Sequence, residues 1–200
     1  MDTDKLIQSW QARLVAIIDG EVVHYHATSK QAIARAYRRE TRFEGYTEAD
    51  IASYESMRGV RLTSVFRAYL LAMGKAQSRL FRGSDLAGPA SFETFRQHAS
   101  ELLEGMGHPS HPPENAVIFL LHQGYQFEYQ IADGSEDGPV MLWTEGEPSP
   151  TEYTSTFCEC VEREIAGYEE LVKEVNRDCG RHVQLNEDGQ ELWWSYSPPS

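Results

Sequence analysis

PPENAVIFLLHQGYQFEYQI, residues Pro112 to Ile131, is the stretch whose reading decides the fold. A proline pair opens it, at a position where a helix loses nothing by lacking an N–H. Val117, Leu120 and Leu121 then share a stripe that Gly124 ends, so the spacing predicts a helix closed by a left-handed glycine. Beyond Gly124 the period changes to two. Phe127, Tyr129 and Ile131 fall on one face and Gln126, Glu128 and Gln130 on the other, which predicts a half-buried strand.

Downstream, the segment ADGSEDGP (132–139) is turn chemistry, and Val140 to Trp143 reads as an antiparallel partner that completes a hairpin at the centre of a sheet. TEGEPSPTEY (144–153) reads as a polar loop. Thr156 and Glu159 form the pattern of a capping box for a long helix, whose apolar stripe runs through Phe157, Val161, Ile165, Tyr168, Val172 and Val175 to a stop at Gly180. Val183 to Leu185 and Glu191 to Tyr196 are expected to pair across Asp188-Gly189, with SPPS (197–200) frayed beyond them. Trp193 and Trp194 fall on alternate faces of that last strand, one toward the core and one toward solvent.

Upstream, Leu14 to Ile18 and Glu21 to His26 flank Asp19-Gly20, a dipeptide suited to a type I′ turn, and predict an N-terminal hairpin. Ser29 caps a following helix with Ile33, Ala36 and Tyr37 inward and Arg35, Arg38, Arg39 and Arg42 on a solvated face. Thr47 starts a helix that buries Ile51 and Tyr54 and stops at Gly59. Thr63 precedes another, with Val65, Phe66, Tyr69, Leu70 and Met73 inward and Gly74 at its end. Leu80 and Phe81 are read as a short strand before the turn Gly83-Ser84-Asp85. Ser91 begins a helix through Phe95, Ala99, Leu102 and Leu103 that ends at Gly105 or Gly107.

Charge is unevenly placed. Residues 1–100 carry 14 Lys and Arg against 11 Asp and Glu, whereas residues 101–200 carry 4 against 20, a net of −16 within an overall −13. Such a half repels nucleic-acid phosphates and favours association with a basic protein through long-range steering, so direct nucleic-acid binding is not expected. No run of eighteen apolar residues suggests a membrane span, and Asp2 and Asp4 stand where a secretory signal is basic and then apolar, so the expected address is the cytoplasm. Three cysteines argue against a disulfide framework, and Cys158 and Cys160 on one helix point to different faces.

Catalytic signatures are sparse. The chain has no G-x-S-x-G, P-loop, H-E-x-x-H or paired Cys-x-x-Cys. His24 and His26 project from one strand face, but with no third ligand nearby in sequence they read as a cross-strand pair. His122 falls at the expected C-terminus of the first helix, suited to the helix dipole, and with Gln123 offers a second reading as a cleft lining. Cys158 lies beside Glu159 and Glu162, which raise a thiol pKa and oppose a nucleophilic role. No cofactor or metal is implied. An enzyme with an unrecognised site would instead place a strongly shifted carboxylate or histidine in a deep pocket. Asp133, Glu136 and Asp137 on one loop and Glu145 and Glu147 on the next flank Trp143, the pattern of an aromatic anchor with a charged rim, and these six are the expected partner-binding residues.

With HQGYQFEYQ at its centre, the opening segment resembles the core of the SMI1/KNR4 family within the SUKH superfamily. Upstream, YESMRGVRLTSVFRAYLLAMGKAQSRLFRGSD (54–85) is similar to that family's pattern of helix, short step, second helix and apolar strand. Downstream, Pro139 to Trp143 and TSTFCECVEREI (154–165) are similar to its later strand and helix. The resemblance spans roughly residues 45 to 170. Thr63 stands where the family usually has proline, and His111 where leucine commonly precedes the second proline. The resemblance implies a single α+β domain, SUKH-like, with a mixed or antiparallel sheet packed by helices. Residues 45–178 would form it, 1–44 would be an N-terminal hairpin and helix extension, and 179–200 a C-terminal hairpin and tail. It further implies a non-enzymatic immunity protein that occludes a cognate toxin domain, for which a basic toxin suits the charge. The alternative is a regulatory scaffold acting in cell-wall synthesis or signalling.

Overall fold

The computed structural model describes residues 2–27, 29–107, 111–178 and 180–195. Along them run α1 (Thr3–Gly20), β1 (Val23–His26), α2 (Lys30–Glu40), β2 (Phe43–Glu44), α3 (Glu48–Arg58), α4 (Ser64–Met73), β3 (Ala76–Gln77) and β4 (Asp85–Leu86). There follow α5 (Phe92–Gly105), β5 (Ala116–His122), β6 (Gln126–Ile131), β7 (Val140–Thr144), β8 (Thr151–Thr154), α6 (Phe157–Asp178), β9 (Arg181–Leu185) and β10 (Glu191–Ser195). The fold is α+β. An antiparallel sheet in the order β4-β5-β6-β7-β8 forms its centre, beside a small β2-β3 pair and a three-stranded sheet β1-β9-β10.

The helix expected between Pro112 and Gly124 is a strand. AVIFLLH (116–122) pairs antiparallel with β6, Leu120 opposite Glu128 and His122 opposite Gln126. A continuous apolar run of this length has no period that separates strand from helix. It is shorter than a typical buried helix and holds Val117, Ile118 and Phe119, which favour a pleated surface. Gly124 is left-handed as expected, at φ +78°, but with Gln123 at φ +48° it turns a hairpin and does not end a helix. The partner strand Val140–Thr144 forms as read, Phe127 facing Trp143. The polar loop of 144–153 contributes one more strand, β8, on the sheet's edge.

Helices cover both faces of this sheet. On one, α5 lays Ala99 and Leu103 over Ile118, Phe127, Tyr129 and Trp143. On the other, Phe66 of α4, Phe119 of β5 and Phe157 of α6 meet with ring centroids 4.9 to 5.6 Å apart. The predicted stripe of α4 is buried throughout, and that of α6 is buried save for a half-buried Tyr168. Thr156 Oγ1 accepts from Glu159 N at 3.0 Å, while the Glu159 carboxylate reaches Ser155 N at 3.0 Å, one residue before the cap. Thr47 and Asp50 complete a capping box on α3, with left-handed Gly59 at its end. Leu80 and Phe81 form a buried turn, not a strand, with Phe81 at φ +57°.

The N-terminal hairpin is also corrected. Leu14 to Ile18 belongs to α1, whose buried face is Ile7, Trp10, Leu14, Ile17 and Ile18. These positions recur every three or four residues, and the helical period outweighs the local turn signal of Asp19-Gly20. This helix packs into the main core, where Trp10 Nε1 donates to Glu162 Oε1 of α6 at 2.7 Å. Val23 to His26 is extended as expected but pairs in parallel with β9, His24 opposite His182. The hairpin β9-β10 forms across left-handed Gly189; Tyr196 and SPPS lie outside the described residues. Trp193 and Trp194 are both exposed, at 42% and 46%, and neither enters the core.

A buried ionic knot ties the terminal segments to the rest. Arg181 of β9 is 2% exposed. Its guanidinium meets Glu21 at 3.1 Å, Glu40 at 3.1 Å and Glu191 at 3.3 Å. Arg79 meets Glu21 at 2.7 Å and also pairs with Glu40, and Arg82 meets Glu191 at 2.5 Å. Burial opposes ionisation of Glu40, but Arg79 and Arg181 prevail and hold its carboxyl at about 2. Three arginines and three glutamates balance, which permits the burial of Arg79, Arg181, Glu21 and Glu40. Replacing Arg181 with methionine keeps the apolar stem and leaves Arg79 as the one buried cation against both Glu21 and Glu40. The expected loss is about 3–5 kcal/mol of unfolding free energy by guanidinium denaturation; a loss below about 1 kcal/mol would show that the knot is not what fixes the terminal sheet.

Candidate functional site

Beyond left-handed Phe81, the chain passes Ser84 across the end of β5, where Ser84 Oγ lies 2.9 Å from Nδ1 of His122. The His122 ring stands edge-on to Tyr125 at 5.5 Å. Together with Arg82, Leu120, Gln126, Glu128, Tyr153 of β8 and Glu164 of α6, these residues line a cleft of about 270 Å³. Of the two readings of His122, the strand leaves only the cleft lining; Gln123 is exposed and outside it.

Glu128 is the chemically unusual member. It is 6% exposed, and no Lys, Arg or His among the described residues forms an ion pair with it. Its hydrogen-bonding neighbour is the Cys160 thiol at 3.9 Å, a weak donor. Burial first, and then the negative charge of Glu164, push its carboxyl up to about 7 from an ordinary 4.5. Burial raises Glu164 as well, against the opposing charge of Arg163. The Arg163 guanidinium rests on the Tyr153 ring, 4.6 Å from its centroid, and Arg82 is held by Glu191. The cleft's carboxyl groups therefore lack an ion-pair partner among the described residues: Arg82 lines the cleft but pairs with Glu191, and Arg163 opposes the rise of Glu128 only through its charge. Near neutral pH Glu128 can give up a proton, take one, or pair with an incoming positive charge.

Sequence patterning placed Glu128 on the wet side of its strand because Gln and Glu are ordinarily exposed. The available signal was its neighbours. AVIFLL (116–121) and VMLW (140–143) are apolar without alternation, as strands covered on both faces are. A strand between them is covered on both faces too. Gln130, 2% exposed on the same side, is satisfied by Thr63 Oγ1 and by the carbonyl of Gly138; Glu128 has no such partners.

The six expected partner-binding residues do not form one surface. Trp143 is 1% exposed, stacked on Phe127 at 5.4 Å beneath α5, and cannot be an exposed anchor. Asp137 is a structural cap: its carboxylate accepts from the backbone N–H groups of Phe157 and Cys158, each at 3.0 Å, at the start of α6. Asp133 accepts from Ser135 N at 2.9 Å within its own turn. Glu136 is exposed, but its carbonyl accepts from Val65 N, so this loop docks the start of α4. Glu145 and Glu147 are exposed at the other end of β7, about 17 Å away along five residues of strand. Helix caps and loop docking are long-range contacts that the local sequence does not display.

The remaining sequence candidates are also placed. His182 stacks between His24 and His26, at centroid distances of 4.6 and 5.6 Å. Burial and the neighbouring imidazoles push its pKa down. Among the described residues, no group of three His, Cys, Asp or Glu side chains is arranged to hold a metal ion. Cys160 is buried and Cys158 half-buried, both as free thiols. Burial, then Asp137 and Glu162, push Cys158 up; Glu159 turns away to cap the helix. A concavity of about 810 Å³ along α3 has its charges paired, Lys75 with Asp50 at 3.9 Å and Glu93 with Arg58 at 3.2 Å. Among the described residues, no helix is long and apolar enough to cross a membrane. No protein-family model matches the chain, and no curated protein matches it in sequence.

Two substitutions test this assignment of roles. Asp137→Ala removes the α6 cap and is expected to cost about 1–2 kcal/mol of stability in urea denaturation; an unchanged midpoint would return Asp137 to the surface. For Glu128, the folded state holds the proton more tightly than the unfolded chain, whose carboxyl titrates near 4.5. The wild type is therefore penalised as pH rises from about 4.5 through about 7, and the penalty is complete above that. Glu128→Gln abolishes it, so the variant's stability advantage should grow by about 3 kcal/mol between about pH 4.5 and about pH 8.5. An advantage independent of pH would mean that Glu128 is not the buried titrating group.

Proposed function

We propose that this protein is a non-enzymatic protein-binding module, an immunity protein that neutralises a cognate bacterial toxin by occluding its active site. The observation that carries the reading is the acidic excess of the second half, 20 Asp and Glu against 4 Lys and Arg. The excess persists at the folded surface. Arg181 is consumed in the buried knot, Lys173 sits 3.2 Å from Glu170, and Arg163 lies on Tyr153. Glu101, Glu104, Glu145, Glu147, Glu159 and Glu174 remain exposed. A surface of one sign steers a basic partner toward it and repels phosphates. A nuclease toxin, whose site is basic because it holds phosphates, is the natural complement, with carboxylates standing in for them. The resemblance to the SMI1/KNR4 family supports the same reading.

A second reading draws on Glu128 and the Ser84–His122 contact. It makes the cleft an acid–base site in which Glu128 supplies a proton near neutral pH. The cleft of about 270 Å³ is smaller than ordinary ligand pockets, so its substrate would be a small molecule or a protruding group.

Affinity capture of the tagged protein at moderate salt, with mass spectrometry of what stays bound, tests the immunity reading and separates it from a regulatory scaffold. Recovery of a basic toxin domain, with protection of cells that express it, supports immunity. Recovery of a biosynthetic or signalling enzyme, without protection, replaces immunity by the regulatory scaffold. An acidic partner whose binding strengthens with salt would overturn the electrostatic basis altogether. With the basic partner in hand, reversing Glu145 and Glu147 to lysine should slow association about three- to tenfold at low ionic strength and flatten its salt dependence, leaving dissociation nearly unchanged. An unaltered association rate would remove the β7-β8 loop from the interface.

A further inference from the structure

We infer that the Glu128 cleft is a socket for one cationic side chain, a lysine ammonium or an arginine guanidinium, presented by the protein partner. This rests on the protein-binding reading above and names the chemistry at one point of contact. Four observations converge on it. Glu128 is 6% exposed, lines the cleft, and has a distant thiol as its hydrogen-bonding neighbour. Glu164, half-buried on α6, lines the same cleft and adds a second carboxyl. The cations nearby are committed elsewhere, Arg82 to Glu191 and Arg163 to the face of Tyr153. Finally, a cleft of about 270 Å³ has room for one long side chain.

Burying an uncompensated carboxyl destabilises the free protein. The cost is removed when a positive charge enters, which makes the cleft electrostatically prepared for a cation. Tyr125 and Tyr153 supply aromatic walls along which the apolar stem of lysine or arginine can lie. The groups facing Glu128 are Cys160, Arg163 and Glu164 from α6, Tyr153 from β8, and His122, Arg82 and Ser84 on the opposite rim. Entry of a cation favours the ionised carboxylate, so binding near neutral pH releases a proton, and affinity rises as pH rises through the range in which Glu128 titrates.

The test uses the whole chain and N-acetyl-L-arginine amide as the probe, with N-acetyl-L-norleucine amide as its uncharged counterpart. Side-chain carboxyl resonances are followed by carbon NMR across pH. Seating of the guanidinium should move the Glu128 resonance saturably and lower its titration midpoint by at least about one unit, with no effect of norleucine; Glu128→Gln should weaken probe binding about tenfold or more. Because Glu128→Gln is expected to stabilise the fold above neutral pH, its loss of binding is not a loss of folding. A Glu128 resonance unmoved at saturating probe, or equal binding by the variant, overturns the socket. A basic partner captured equally well by wild type and Glu128→Gln also overturns it while leaving the protein-binding reading intact. Probe seated at Glu128 in a protein that captures no basic partner supports the socket and defeats that reading instead.

Discussion

Burial of the central strand on both faces is the constraint on which the rest depends. Antiparallel sheets commonly keep one face wet, yet here α5 closes one side of β6 and α4 and α6 close the other. Its odd-numbered residues enter an aromatic layer with Trp143. Its even-numbered polar residues enter the main core's side, where Gln130 is satisfied by Thr63 and Gly138 and Glu128 is not. A polar side chain on such a strand must find partners or carry a standing penalty. The two outcomes, two residues apart, show how one backbone geometry yields a hydrogen-bonded glutamine and a glutamate whose carboxyl is raised to about 7.

Charge is handled in two opposite ways within the same molecule. Around Arg181, three guanidiniums and three carboxylates neutralise one another and hold Glu40 at about 2. At Glu128, burial and then the charge of Glu164 raise the carboxyl to about 7. Both sites lie near the 79–84 turn, whose Arg79 and Arg82 serve the knot and whose Ser84 meets His122. The knot also binds the β1-β9-β10 sheet to the main domain by joining residues from both ends of the chain. A site poised for an external cation can persist beside it because the local arginines are already fully engaged.

The proposed capture of a basic protein draws on these two scales of electrostatics. Exposed carboxylates of the second half act at long range, where they govern the rate of encounter and are screened by salt. A buried carboxyl acts at contact, where low dielectric strengthens pairing and water does not compete. The acidic residues expected to rim Trp143 divide accordingly. Asp137 and Asp133 shape loops that dock helices, whereas Glu145 and Glu147 remain available to a partner.

The sequence by itself determined the α+β class, the extents of α3, α4 and α6, the β6-β7 and β9-β10 hairpins and the imbalance of charge, because each is written in local periodicity, capping residues or composition. Tertiary structure decided the rest. The run 116–122 became a strand because its length and β-branched content suited the sheet, though its period was ambiguous. Leu14 to Ile18 joined a helix because α6 offered an apolar face and a carboxylate for Trp10. Trp143 was withdrawn from the surface by α5, and Glu128 was brought from the wet face to the floor of a cleft by helices distant in sequence. Burial is a property of what packs on the far side, and that is where sequence pattern stops and the folded chain begins.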